Sequence, residues 1–508
     1  MVVISFPLRN AEFDKRSLDE PSPKQVYTTL FYNDLQLLFT CTSTEKMVQN
    51  IPPSKPLFFP YLHLHGNLPG FQENSLSVNY SVMTKESSRP QPPPFAEDSV
   101  QQGVLANGLR IITDAVASVR SVTLGIQIDA GSRDDPGDAP GLAHFIEHAL
   151  FKGTRRRSYI DIARNIEKHG GYLDAYTTKE QTCIYLRCLP EHLEPSFDLL
   201  SDLVCDPVFP PEEIEKEKEV VIEEISSVND TPEELIFEEF DLRSFPRHPL
   251  GTPILGTEKS VEAFSDENLK NFMRQHYIPQ KMLVTATGMV HHDEIMRLGE
   301  RFLHQLRQPS GSQYVRQPFL AEDYTPFTLT LKKRVCQAQI VIGTAIARED
   351  PLFYSLMVLN SMLGNGMSSL LNLELREKRG LAYNVYSSVT FYDDLTALNI
   401  YAGTDSNKTK VTLELIKELL QSDALKHPDP EEVQAAKTKL LGSHIMGMEK
   451  MTRRMSQTAS DLSYFGRYIE PEEKTAALEA VRLEDIAEAA RRMLHDAPYS
   501  TLVYKPGR

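Results

Sequence analysis

Two histidines and a glutamate, His144, Glu147 and His148, stand inside the otherwise apolar run 141–154, Gly-Leu-Ala-His-Phe-Ile-Glu-His-Ala-Leu-Phe-Lys-Gly-Thr. Ala143, Phe145, Ile146, Ala149, Leu150 and Phe151 surround them, so a helix here is mostly buried and its polar side chains need partners inside the protein. On a helix, residues four apart share one face, about 6 Å apart along the axis. Two imidazoles so placed can reach one divalent ion. Glu147 then lies beside them without having to be a ligand. Two nitrogen donors for Zn²⁺ and a carboxylate to take a proton from water is the layout of a metallohydrolase.

A catalytic zinc takes three protein ligands, so a third donor is expected elsewhere. The strongest region is 211–229, PEEIEKEKEVVIEEISSVN. Pro210 and Pro211 mark a helix start, and Ile214, Val220, Val221, Ile222 and Ile225 fit one buried side. Most of its carboxylates read as a solvated face with favourable charge at the N-terminal end. Composition does not choose among Glu215, Glu217, Glu219, Glu223 and Glu224.

At 508 residues the chain exceeds one ordinary core, and its 41% hydrophobic content is globular. No run of eighteen apolar residues could span a bilayer. The net charge of −16 argues against nucleic acid or an anionic membrane as partner and mildly favours basic or neutral peptides. The five cysteines (41, 183, 188, 205, 336) are odd in number and form no Cys-x-x-Cys pair, which points to inert thiols in a reducing compartment. A Cys183–Cys188 interaction is poorly motivated.

Residues 1–95 read differently: rich in Pro, Ser and Asn, with aromatic clusters at 31–32 and 58–61 and the run Arg-Pro-Gln-Pro-Pro-Pro at 89–94. They lack the cationic start and apolar core of a secretory signal, and Glu12, Asp14, Asp19 and Glu20 fit a mitochondrial presequence poorly. They are expected to form an irregular extension, with Met83 an alternative start.

From Val104 the pattern is strand, turn at Asn107-Gly108, and strand over 109–113. A strand over 121–128, the motif helix and a helix over 160–169 come next. A Gly170-Gly171 turn, a strand over 181–188, helices over 193–205 and 211–228, and a strand over 284–289 follow. The polar stretch 307–327 reads as a linker. After it the order recurs: strand 337–345, helices 351–363 and 368–378, strand 382–389. The expected fold class is α+β, with two homologous α/β-layer domains from an internal duplication. The boundaries are extension 1–100, metal-binding domain 101–306, linker 307–327 and second domain 328–508. Only the first half has a His-x-x-Glu-His.

His-x-x-Glu-His is the inverted zincin motif, and the chain resembles the pitrilysin, insulysin and mitochondrial processing peptidase family, above all its short bacterial and processing-peptidase branch. The resemblance runs from residue 104 to about 503. It is carried by Leu-Ala-Asn-Gly-Leu-Arg (105–110), Asp-Ala-Gly-Ser-Arg (129–133), the histidine motif and Gly-Gly-Tyr-Leu-Asp-Ala-Tyr-Thr (170–177). Glu-Lys-Glu-Val-Val-Ile-Glu-Glu-Ile (217–225) and Leu-Arg-Glu-Lys-Arg-Gly-Leu-Ala-Tyr (375–383) extend it.

The resemblance implies a clamshell-type zinc metalloendopeptidase that cleaves peptides or unstructured segments in a closed chamber. His144, His148 and Glu224, the last lying 76 residues past the second histidine, would hold one Zn²⁺ per chain. Glu217 would support the ligands and Glu147 would act as general base. Arg376 and Tyr383 would fix substrate carbonyls and stabilise the oxyanion. Gly171, Asp174 and Ala175 would belong to a strand that pairs with substrate, with Asp174 where many relatives carry Asn. A homodimer is expected, with a heterodimer of related chains or a non-catalytic subunit as the competing readings. The expected compartment is the cytoplasm, ahead of an organellar matrix.

Overall fold

The computed structural model of the protein describes residues 28–32, 35–39, 99–306 and 314–507. The chain divides into two units, 1–91 and 92–508. In the first, β1 (Thr28–Tyr32) and β2 (Leu35–Phe39) pair antiparallel. The other readings made for residues 1–95, including a start at Met83, lie outside the described residues.

The second unit holds two sheets. The first contains β3 (Ser99–Val104), β4 (Arg110–Ala115), β5 (Val122–Ile128), β6 (Tyr172–Thr177), β7 (Thr182–Cys188) and β8 (Met282–Gly288), in the spatial order β3-β4-β8-β5-β7-β6. The second contains β9 (Thr328–Lys333), β10 (Ala338–Ala347), β11 (Ala382–Phe391), β12 (Leu395–Thr404) and β13 (Ser500–Pro506), in the order β11-β12-β10-β13-β9. Without β3 the two are the same sheet. In each, the first and last strands in sequence pair parallel and the rest pair antiparallel. The internal duplication is thus visible as topology.

Strand alternation sends each sheet's residues to two cores. In β5, Val122, Leu124, Ile126 and Ile128 join Phe145, Ile146 and Leu150 of the motif helix and Phe197 and Leu200 of helix Leu193–Cys205. On the other face, Leu283 and Ile112 meet Ala459 and Leu462 of helix Met451–Phe465, which comes from the second half. Gly125 lies under Met455, whose sulfur would sit 2.6 Å from an added Cβ. Arg454 of the same helix pairs with buried Asp114.

The second sheet receives the reciprocal loan. Ile236 and Phe240 of helix Pro232–Ser244, from the first half, pack on Val341, Tyr401, Leu502 and Tyr504. Burial of side chains of this size contributes about 1.5–3 kcal/mol each. Each half therefore closes the open face of the other's sheet with one helix.

Two local expectations change. Val220, placed on the buried side of its helix, is 44% exposed; the buried stripe runs instead through Ile214, Glu217, Lys218 and Val221. The helix over 368–378 is a turn of wider winding, π-helical over Asn372–Glu377. Cys183 and Cys188, five apart on β7, fall on opposite sheet faces and are free, as are Cys205 and Cys336. No helix among the described residues is long and apolar enough to cross a membrane.

Candidate metal centre

The motif helix, Leu142–Leu150, is buried along its whole length. It begins at Gly141, whose φ of 89° is left-handed and whose added Cβ would meet the Leu255 carbonyl oxygen at 2.5 Å. The carboxylate of Asp135 accepts from the Gly141 and Ala143 amides at 2.7 and 2.8 Å, anchoring negative charge at the positive end of the helix. Burial nonetheless pushes the Asp135 carboxyl well above its usual range.

His144 and His148 project from one face, with ring centroids 4.6 Å apart. Helix Pro211–Asp230 crosses them and contributes two glutamates seven residues apart, thus on one side. His148 Nδ1 donates to Glu217 Oε1 at 2.9 Å, which aims Nε2 the other way, toward Glu224 Oε2 at 3.5 Å. Lys152 Nζ pairs with the second oxygen of Glu217. His144 Nε2 lies 3.9 Å from the same Glu224 oxygen.

The ligand atoms of His144, His148 and Glu224 all lie within 4.8 Å of one another. Among the described residues, His144 Nδ1, His148 Nε2 and Glu224 Oε2 are buried with no hydrogen-bond partner. Two of these orphaned atoms, His148 Nε2 and Glu224 Oε2, face each other at 3.5 Å with His144 Nε2 beside them, and such a group is costly without a cation to satisfy it. Two imidazoles and one carboxylate suit zinc, so the residues present fit a metal ion.

Electrostatics agree. Burial, helped by His148, lowers His144 to about 3, which keeps its imidazole neutral and able to donate a lone pair. At His148 burial acts downward too, but the Glu217 hydrogen bond and the charges of Glu224 and Glu147 outweigh it and favour positive charge there. Burial raises Glu224, while at Glu217 it is overcome by the bonds from His148 and Lys152, which hold that carboxyl low. Together these residues could hold a cation.

Glu147 is 5% exposed. Thr177 Oγ1, on edge strand β6, donates to Glu147 Oε2 at 2.6 Å. Burial pushes the Glu147 carboxyl up to about 7, against that bond and His148. A carboxyl near neutrality can accept and release a proton in one cycle.

The other residues singled out from the sequence fall in three places. Gly171 precedes β6, and a Cβ there would meet Ile166 at 2.6 Å and the Arg187 carbonyl at 2.9 Å. Ala175 packs toward the motif helix, while Asp174, its neighbour, points to the opposite face and accepts from Tyr172 and Tyr185. Tyr383 lies on edge strand β11 and is 67% exposed. Arg376 closes the π-helical turn beside Glu377. Among the described residues, neither bonds to His144, Glu147, His148 or Glu224.

Sequence reasoning overlooked four residues, Thr177, Asp135, Lys152 and Arg133. Thr177 stood within the quoted stretch 170–177, and a hydroxyl on the strand beside the motif helix was the available signal. Asp135 and Lys152 flank the helix at capping distance. Arg133 ends the 129–133 stretch. Its guanidinium is fully buried and bonds to Glu180 at 2.5 Å, to both oxygens of Asp394 at 2.8 and 2.7 Å, and to the Gln317 carbonyl at 2.9 Å. No spacing rule links residues so far apart.

Comparison with known proteins finds relatives of both halves of the chain. A family profile described as Insulinase (Peptidase family M16) matches residues 110–258, and a second, Peptidase M16 inactive domain, matches 263–440. An uncharacterized zinc protease of Mycobacterium leprae is 35% identical over 394 residues, covering 77% of this chain and 88% of its own. One of Bacillus subtilis is 32% identical over 388 residues, covering 76% and 94%. The crystal structure of a protease from Helicobacter pylori superposes with a TM-score of 0.75 at 20% identity, over 81% of this chain and all of that one. The M16 inactive domain structure from Pseudomonas fluorescens gives 0.74 at 22%, over 81% and 98%. With both halves matched and its relatives named zinc proteases, the chain belongs to the insulinase-type M16 family of peptidases.

Proposed function

We propose that the protein is a zinc-dependent metalloendopeptidase that hydrolyses peptides or unstructured protein segments within a closed chamber. The observation that carries this reading is the convergence of ligand atoms from His144, His148 and Glu224 within 4.8 Å, with His148 Nε2 and Glu224 Oε2 buried and unpartnered, beside the Glu147 carboxyl that burial raises to about 7. A zinc ion held by those three residues would supply Lewis acidity toward the scissile carbonyl and the attacking water.

The remaining steps belong to the chain's own groups. Glu147, oriented by Thr177, takes a proton from the attacking water and passes it to the departing amine nitrogen. Glu217 holds the His148 ring so that Nε2 faces inward. The free edge of β6 pairs with an extended peptide through main-chain hydrogen bonds, and the partly buried strand Tyr172–Thr177, at the end of the sheet, suits that role. Tyr383 donates a hydrogen bond to the developing oxyanion and Arg376 binds substrate carbonyls. Their exposure, and their lack of contact with the centre in one chain, support sites completed across a homodimer.

Quenched fluorescent peptides incubated with the purified protein test this reading. Cleavage that a chelator abolishes and zinc restores is the expected result. Absence of cleavage by zinc-loaded protein would instead favour a non-catalytic subunit.

A further inference from the structure

Strand β6 has two faces with different chemistry. Leu173 and Ala175 pack on the core beneath the motif helix, and Thr177 on that face reaches Glu147. Tyr172, Asp174 and Tyr176 point the other way, beside Tyr185 of β7, the cross-strand partner of Asp174. Tyr172 and Tyr185 both donate to Asp174 Oδ2, at 2.9 and 3.0 Å, and the Ala175 amide donates to Oδ1 at 2.9 Å. The Tyr185 ring centroid lies 6.4 Å from those of both Tyr172 and Tyr176.

All three donors to Asp174 are neutral, so they fix the carboxylate without cancelling its charge. Arg187, which pairs with Tyr172 across the strands, is exposed. Tyr172 remains 54% exposed at the rim of the sheet. The result is a negative charge beside three tyrosines at the sheet edge, bounded by helix Met451–Phe465, whose Ser456 hydroxyl lies 3.5 Å from that of Tyr176, and reached from the exposed Tyr172 side; such an arrangement attracts an ammonium or guanidinium through both Coulomb and cation–π terms.

We propose that Asp174, caged by Tyr172 and Tyr185, is a specificity-determining residue that selects a lysine or arginine side chain on the bound peptide. The inference rests on the peptidase reading insofar as it places a peptide strand along β6. In such a pairing the peptide residue opposite Asp174 has its Cβ about 5 Å away on the same face, within reach of a long cationic side chain. Asp174 lies three residues along β6 from Thr177, roughly 10 Å at strand rise. The selected residue therefore stands a few positions from the scissile bond, on the face away from the metal.

The test uses full-length, zinc-loaded protein and peptides that differ only in a single Lys, Gln or Glu walked through each position around the cleavage site. At one position kcat/KM should favour Lys over Gln by roughly tenfold, the sum of an exposed cation–π contact and an exposed ion pair. In Asp174→Asn that ratio should fall to about twofold or less, and in Asp174→Lys the preference should turn toward Glu. A Lys/Gln ratio that is absent in the wild type, or unchanged in Asp174→Asn, overturns the proposal. If the wild type cleaves none of the peptides, the same set is read by fluorescence anisotropy. A Lys-over-Gln binding preference that Asp174→Asn removes then supports the cage while the peptidase reading fails. Equal binding of all peptides, or none, overturns the cage.

Discussion

Glu147 and Glu217 flank the same pair of imidazoles and do different work. Glu147 faces the edge strand through Thr177, whereas Glu217 grips the far side of His148. Replacing Glu147 by Gln keeps the shape and removes the proton acceptor. Turnover should fall by about 10²–10⁴-fold, while zinc content, read by plasma mass spectrometry, stays at the wild-type level. Loss of zinc together with activity would make Glu147 a ligand rather than a base. Glu217→Gln should act on the metal instead. His148 loses its charged partner, and zinc affinity measured by chelator competition should drop by about 10–100-fold. An unchanged affinity would remove Glu217 from the support of the centre.

At the scale of elements, the short connections in the first half were readable and the exchanged helices were not. Strands β4, β5 and β7 and the helices at Leu193–Cys205 and Pro211–Asp230 follow from alternation, apolar periodicity and proline starts. Helix Met451–Phe465 buries Met451, Met455, Thr458, Ala459 and Leu462. Its stripe has helical spacing, but threonine, alanine and two methionines give a weak hydrophobic signal. Within the centre, His144, Glu147 and His148 were legible from side-chain chemistry alone. Glu224 was not, because it is one of five candidate carboxylates on one helix, and only resemblance separated it. The structure supplies the missing physical distinction: Glu217 and Glu224 turn inward, whereas Glu215, Glu219 and Glu223 are exposed.

The elements that meet at Arg133 show what local reading omits. Its side chain joins the β6–β7 turn through Glu180, the connecting segment through Gln317 and the β11–β12 turn through Asp394. Arg316, on that segment, bonds in turn to Asp129, Asp134 and Asp393. Arg133→Met keeps the bulk but leaves Glu180 and Asp394 without their cation. Because Asp394 is 30% exposed, the loss should lie near the lower end for a broken buried pair, about 3 kcal/mol. A urea unfolding midpoint within error of the wild type would show that the clasp contributes nothing to stability.

Across the whole molecule, the metal centre draws on the first half alone, while Arg376 and Tyr383 sit exposed on the second. If a site is completed by the second half of a partner copy, two inactive chains can repair each other. Tyr383→Phe removes the oxyanion donor and should lower turnover by about 10²–10³-fold. Glu147→Gln is inactive for a separate reason. In a mixed dimer the Tyr383→Phe chain keeps its own metal centre and Glu147 and borrows an intact Tyr383 from its neighbour, so one of its two sites is whole. Random exchange makes half of all dimers mixed, so an equal mixture should recover about a quarter of wild-type activity. Carrying different affinity tags on the two chains allows the mixed species to be isolated, where recovery should rise to about half. Activity confined to background in dimers shown to carry both tags would place Tyr383 in its own chain's site. A Tyr383→Phe/Tyr383→Phe dimer that already matches the wild type would put Tyr383 outside the chemistry altogether.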